Sequence, residues 1–208
     1  MISASKAIEL LREGNTRYTS DCRNSINIYG HQDLSAGQNP FAVILGCSDS
    51  RVPVEQIFSQ NAGNLFVVRI AGNITTPSAT GSIEFAVKFL KVKLIVVLGH
   101  TGCGAVSATL DELQHAPLNV SPELQGILTQ IRPAVEPLLK NSNKIDRNEL
   151  LQNAVRANVQ NTVNNLCNKS SIRHHQSQRE QLRVVGAVYH LDSGVVEWMN
   201  DTQSEFAE

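Results

Sequence analysis

The sequence predicts an α/β fold: a mostly parallel central sheet of about four parallel strands plus an antiparallel edge strand, flanked by helices, with an N-terminal helical arm. Three observations carry this. Short apolar runs rich in β-branched residues recur at Phe41-Ala42-Val43-Ile44-Leu45, Leu65-Phe66-Val67-Val68-Arg69-Ile70 and Leu94-Ile95-Val96-Val97-Leu98, with the length of strands buried on both faces. Stretches with helical spacing lie between and after them, the alternation that builds parallel sheets. The last apolar run, from Leu182 to His190, is followed by Asp192-Ser193-Gly194 and then Val195-Val196-Glu197-Trp198, a turn and a return strand.

Taken in order, residues 5–18 form an amphipathic helix, with Ala7, Ile8, Leu11 and Tyr18 on one stripe and Lys6, Glu9, Arg12 and Glu13 opposite. Residues 19–39 are polar and glycine-containing, hence a loop. The first strand covers 41–46. Pro53 opens a short helix to Phe58, since proline suits a first turn. The second strand is 65–70, a helix covers 78–90 with Ile83, Ala86, Val87 and Leu90 inward, and the third strand is 93–98. A helix begins at Gly104, and residues 111–122 form a mixed loop. Helices follow over 122–140 and 147–168, and Pro133 and Pro137 are expected to kink or split the first. In the second, Leu150, Leu151, Ala154, Val155, Val159, Val163 and Leu166 keep helical spacing, and its Asn- and Gln-rich side reads as solvated surface. His174-His175, beside Arg173, reads as a solvated turn.

The 208 residues suit one domain, with 1–36 as helical arm and loop and 37–200 as the α/β core. Eighteen basic residues against 19 acidic give a net charge of −1, which offers no attraction for nucleic acid or an anionic membrane. No apolar run approaches the roughly 18 residues of a membrane span. The first residues, Met1-Ile2-Ser3-Ala4-Ser5-Lys6, show neither a basic nor an apolar region of a signal peptide. Four cysteines do not make a disulfide scaffold. A reducing, cytoplasmic setting is therefore expected, with a periplasmic one only for a chain that has lost a signal.

Reactive groups of open α/β sheets gather at the carboxyl ends of the strands. The first strand runs into Gly46-Cys47-Ser48-Asp49-Ser50-Arg51 and the third into Gly99-His100-Thr101-Gly102-Cys103-Gly104. Cys47, His100 and Cys103 are a donor set that suits zinc, and three protein ligands rather than four is the pattern of a catalytic site that keeps a position for water. Cys22 in a loop and Cys167 in a polar helix are not obvious fourth ligands. A Cys47–Cys103 disulfide would leave His100 unexplained. His31, His115, His174, His175 and His190 have no spacing that points to a site. The Cys47-to-Arg51 spacing is too short for the loop of cysteine phosphatases, and no glycine-rich phosphate loop follows a strand.

Cys47-Ser48-Asp49-Ser50-Arg51 followed by His100-x-x-Cys103 resembles the β-class carbonic anhydrases. So do Gln38-Asn39-Pro40, Val52-Pro53-Val54-Glu55, Phe66 through Asn73, and Gly81-Ser82-Ile83-Glu84-Phe85-Ala86. The resemblance covers residues from about 5 to 200. It implies one zinc per subunit held by Cys47, His100 and Cys103, and reversible hydration of carbon dioxide to bicarbonate and a proton. Zinc makes hydroxide available near neutral pH. Arg51 is a bidentate partner able to hold the Asp49 carboxylate off the metal, where Asp49 orients the attacking water.

The resemblance further implies that Gln38 donates its amide to a substrate oxygen and that Phe66, Ala71 and Phe85 wall an apolar pocket; some members carry Val and Tyr in place of Ala71 and Phe85. Backbone N–H groups near Gly102 and Gly104 support the developing oxyanion. Family pockets borrow residues from a neighbouring subunit, so a homodimer or a dimer of dimers is expected. One subset, with a bicarbonate-controlled closed state, carries Trp where this chain has Ile44; Gly46, Arg69 and Tyr189 occupy its other anion-site positions. Two further readings share the ligand set: a zinc hydrolase of carbon disulfide or carbonyl sulfide, and a non-enzymatic zinc scaffold or bicarbonate sensor. The second predicts loss of Asp49 or Arg51, and both are present.

Overall fold

A computed structural model of the chain describes residues 2–20, 34–115, 119–140, 145–177 and 182–199. The five strands are β1 (Ala42–Gly46), β2 (Leu65–Arg69), β3 (Leu94–His100), β4 (Arg183–Tyr189) and β5 (Val196–Trp198). They form one sheet in the order β2-β1-β3-β4-β5. The first four run parallel, and β5 pairs antiparallel with β4. The helices are α1 (Ala4–Ser20), α2 (Val54–Ile57), α3 (Pro77–Phe89), α4 (Gly104–Gln114), α5 (Pro122–Leu139), α6 (Arg147–Cys167) and α7 (Ser170–Ser177).

Strands β1 and β3 are buried along their whole length, which is why they read as unbroken apolar runs rather than as alternation. Their residues divide between two cores. Val43, Leu45, Ile95 and Val97 face one that also takes side chains from α3 to α7; Ala42, Ile44, Leu94, Val96 and Leu98 face another closed by α1 and α2. The helices between strands start on ordinary caps. Thr76 Oγ1 accepts from the Ala79 N–H at 3.3 Å ahead of Pro77, Ser121 Oγ from Leu124 at 3.3 Å ahead of Pro122, and Asp146 from Asn148 at 3.0 Å.

Helix α1 lies on its own subunit. Ala4, Ala7 and Leu11 are buried in the second core. Buried Asn15 donates to the carbonyls of Ile57 and Gly194, at 3.1 and 2.9 Å, and accepts from the Val196 N–H at 2.8 Å. One amide thus ties α1 to α2 and to the β4–β5 hairpin.

Three expectations need correction. Helix α5 is one helix that contains both Pro133 and Pro137. Each sits on the exposed side while Leu128, Ile131 and Val135 are buried, so the carbonyls deprived of a partner face water and the packed side holds the helix together. His174 and His175 stand in α7, not in a turn; Ile172, fully buried, anchors that short helix. The polar side of α6 is not all solvated, since Asn158 and Thr162 are each 1 % exposed. Most of the expected loop of residues 19–39, with Cys22 and His31, lies outside the described residues.

Helix α6 reaches the sheet closely because Gly99 has no side chain. A Cβ there would come within 2.5 Å of a Val159 methyl, so α6 packs directly on the backbone of β3 next to His100.

Candidate metal centre

Strand pairing brings the two reactive segments together. Gly46 pairs with Leu98 in the central β1–β3 ladder, so Cys47 leaves the tip of β1 beside the end of β3, where His100 is the last strand residue. Cys103 follows at the N-cap of α4. Gly102 makes the turn between them in the left-handed region, at φ 66°. The donor atoms of Cys47, His100 and Cys103 all lie within 4.8 Å of one another, and all three residues are buried. A tetrahedral zinc with bonds of about 2.3 Å to sulfur and 2.0 Å to nitrogen needs donors roughly 3.5–4 Å apart, so small side-chain adjustments suffice to close this cluster on the ion.

The histidine is already oriented as a ligand. Its Nδ1 lies 3.0 Å from the Thr101 carbonyl, which only accepts, so Nδ1 carries the proton and Nε2 the lone pair. Nε2 is buried without a hydrogen-bond partner among the described residues. An imidazole nitrogen left unpaired and facing two thiols is what a metal ligand looks like, and a core histidine would have paired it. Thr101 is itself fixed: its N–H donates to the Tyr189 carbonyl at 2.9 Å and its Oγ1 accepts from the Leu191 N–H at 3.0 Å.

The sulfurs show the same strain. Cys47 is held far below its ordinary value, chiefly by the Cys103 thiol and then by nearby His100 and the N–H groups of Asp49 and Gly72. Cys103 is pushed up by Cys47 and by burial, against the pull of the first N–H groups of α4. Two adjacent buried sulfurs cannot both ionise unaided; a divalent cation removes that conflict.

Asp49 and Arg51 stand beside the cluster as a forked pair. Arg51 Nε donates to Asp49 Oδ1 at 2.9 Å and its terminal nitrogen to Oδ2 at 2.8 Å, while the Arg51 backbone N–H also reaches Oδ1 at 3.0 Å. These bonds hold the Asp49 carboxyl well below the usual range, so it stays ionised. Oδ2 is 3.8 Å from His100 Nε2, close enough to compete for a metal and restrained by the guanidinium. Arg51 also leans on the Gly102 carbonyl at 3.5 Å.

The remaining residues of interest are spread more widely. Gly102 and Gly104 flank Cys103, and a Cβ on either would meet nothing within 4 Å. Ala71 follows β2 in a short turn. Phe66 and Phe85 stack with ring centroids 6.3 Å apart, and Phe85 meets Phe89 in a tilted contact at 5.2 Å. Phe85 and Phe89 are 47 % and 64 % exposed. Gln38 is exposed at the opposite end of β1: Asn39 and Pro40 line a cavity with Lys91, Val92 and Lys93, which precede β3. About five strand residues at roughly 3.3 Å each separate that edge from Cys47.

Two supports were not anticipated. Arg69, at the carboxyl end of β2, donates to the carbonyls of Cys47 and Asp49 at 3.0 and 2.5 Å and so fixes the segment between them. The Gly72 N–H points at Cys47 Sγ, 3.4 Å away. Arg69 was visible as a cation at a strand end; nothing in the sequence marks the Gly72 contact. Tyr189 places its hydroxyl 3.3 Å from that of Tyr18.

Comparison with known proteins agrees with this geometry. Residues 42–196 match the model of the carbonic anhydrase family. The chain is 38 % identical to carbonic anhydrase 2 of Mycobacterium tuberculosis over 190 residues, covering 90 % of this chain and 89 % of that protein. It is 37 % identical to the carbonic anhydrase of Mycolicibacterium smegmatis, covering 92 % and 91 %. Among solved structures, a β-carbonic anhydrase of Aspergillus fumigatus superposes with a TM-score of 0.74 at 32 % identity, covering 83 % of this chain and 81 % of that one. A tetrameric β-carbonic anhydrase of Sordaria macrospora gives 0.74 at 26 %, covering 94 % and 95 %. Sequence over nine-tenths of the chain and the shared fold thus point the same way as the sulfur–imidazole cluster: the chain belongs to the β-class carbonic anhydrase family.

Proposed function

We propose that this protein catalyses the reversible hydration of carbon dioxide to bicarbonate and a proton, with one zinc per subunit on Cys47, His100 and Cys103. The observation that carries the reading is a buried three-donor cluster with a bare His100 Nε2 and an ionised carboxylate clamped beside it. Zinc, when bound, acidifies water into a nucleophile, though two thiolate donors leave it less acidifying than the three-imidazole site whose water has a pKa of about 7.

Around it the chain's own groups divide the work. Asp49, kept ionised by Arg51, accepts a hydrogen bond from the attacking water and turns a lone pair toward the carbon. Arg51 keeps the carboxylate at that post and off the ligand position. The backbone N–H groups at Gly102 and Gly104 stabilise charge that grows on the substrate oxygen. Phe66, Ala71 and Phe85 supply apolar wall for a nonpolar gas.

The assembly we propose is a homodimer or a dimer of dimers. Its support is the aromatic face of Phe85 and Phe89 beside the edge strand β2, too large and apolar a feature to leave in water without purpose. We assign Gln38, exposed and a strand length from Cys47 of its own chain, to the pocket of a neighbouring subunit in that assembly. The described free thiols Cys47, Cys103 and Cys167 suit a reducing cytoplasm, and no described helix is long and apolar enough to cross a membrane.

Stopped-flow hydration with a pH indicator, and with a zinc-binding anion as inhibitor control, tests the reaction. Activity is expected to rise toward alkaline pH. A profile flat from mildly acidic to alkaline conditions counts against the thiolate-ligated site, and no activity at all sinks the proposal.

A further inference from the structure

Asn158 is an amide in a place built for a hydrocarbon. It lies on the inward side of α6 with Val155, Val159 and Thr162, and is 1 % exposed. Its Oδ1 finds no partner among the described residues. Its Nδ2 finds one, the Gly72 carbonyl, at 2.8 Å and 86 residues away in sequence. A leucine there would avoid burying an unpaired acceptor, so the reason for the amide lies in what it does to Gly72.

Gly72 is held under constraint. It adopts φ 72° and ψ 14°, and Asn73 after it is also left-handed at φ 45°. Such a turn persists only where its surroundings hold it. A Cβ on Gly72 would lie 2.7 Å from Ile131 Cδ1, so α5 presses on this residue from one side. Asn158 of α6 holds its carbonyl from another. Its N–H is then left to point at Cys47 Sγ. A peptide N–H donated to a metal thiolate draws electron density from the sulfur and lowers its donation to the metal, the kind of outer support that tunes metal sites.

We propose that Asn158 is a positioning residue of the metal centre: by fixing the Gly72 carbonyl it aims the Gly72 N–H at the Cys47 sulfur and so sets the electron donation of that ligand. The inference rests on Cys47 being a zinc ligand. Zinc loss in a Cys47→Ala variant tests that premise separately.

The test replaces zinc by cobalt and reads the thiolate-to-metal charge-transfer absorption, together with zinc affinity by chelator competition. In Asn158→Ala the band is expected to move to longer wavelength, because a sulfur relieved of its hydrogen bond gives up an electron more easily; zinc affinity is expected to fall by about 10- to 100-fold all the same, because the loosened Gly72 turn no longer holds the Cys47 thiolate in place before the metal arrives. Thr162→Ala, equally buried on the same helix, is the control and should leave the band where it is. A folded Asn158→Ala that loses only thermal stability, with band and affinity unchanged, overturns the proposal. If that variant does not fold, Asn158→Leu fills the site with hydrocarbon, cannot donate to the Gly72 carbonyl and is read in the same way. The unsubstituted protein loaded with cadmium-113 gives a reading without any mutation: the Gly72 amide proton should show scalar coupling to the metal across the N–H···S contact, and its absence also overturns the proposal.

Discussion

The metal cluster and the aromatic face beside β2 belong to the same side of the sheet, yet one is finished and the other is not. Around the cluster nearly every group has its place within the subunit: His100 on the Thr101 carbonyl, Cys47 under the Gly72 N–H, Asp49 in the fork of Arg51. Phe85 and Phe89 instead turn 47 % and 64 % of their surface to solvent, with Lys88 over the Phe89 ring as a cover at 5.5 Å. The difference teaches that one chain supplies all three metal donors, while the apolar wall is the part that the proposed assembly would complete. Substitutions in the two regions should therefore fail differently.

The largest effect is expected at the cluster. Cys103→Ala should leave strongly reduced zinc by elemental analysis and almost no hydration; full occupancy in that variant would remove Cys103 from the ligand set. Next comes Arg51→Ala. With the fork gone, Asp49, whose Oδ2 lies 3.8 Å from His100 Nε2, is free to swing onto the metal. Zinc should be retained while hydration falls by about 100-fold or more, and Asp49→Ala in the same background should restore the open position though not full rate. X-ray absorption distinguishes the two ligand sets. Near-normal turnover in Arg51→Ala would reduce the pair to a structural salt bridge.

Phe89→Asp probes the unfinished region. A charge in the aromatic face should convert the oligomer to monomer by light scattering and lower hydration with zinc content unchanged. An active monomer would show that the wall is complete in one chain after all.

The smallest effect is expected far from both. Glu197 is held below the usual carboxylate range by Arg156 first and by His190 second. A depressed carboxylate contributes stability that is present above its unfolded pKa of about 4.3 and is lost as pH falls through the lower folded value. Glu197→Gln should thus lower the stability to unfolding slightly at neutral pH, by under about 1 kcal/mol because the site is partly exposed, and the gap from wild type should close as the pH drops below about 4. A gap that is the same in acid and at neutral pH would show that the charge contributes nothing.

Most of the sheet was legible because burial on both faces leaves a strand no reason to be anything but apolar, as β1 and β3 are. The zinc donors and the Asp49–Arg51 pair were legible because their chemistry constrains residue type at short spacing. What escaped was set by tertiary context. Pro133 and Pro137 break helices in general, but here they share the solvent side of a helix pinned by Ile131 and Val135. Asn158 carries the same letter as its solvated neighbours Asn161 and Asn164, and only the approach of α6 to Gly72 separates them. His174 and His175 look like a turn until Ile172 is seen anchoring α7.

Asn15 joins the first helix to a carbonyl 179 residues later and to a backbone N–H 181 residues later. A helix whose principal polar anchor is the far hairpin cannot settle fully during early synthesis, because the hairpin does not yet exist. Helix α1 can lay its apolar stripe on α2 early, but two of the three bonds of its buried amide stay unmade until β4 and β5 have emerged and paired, and the closure of that long loop costs entropy before those bonds are gained. The last fastening of the first helix thus belongs to the last part of the chain.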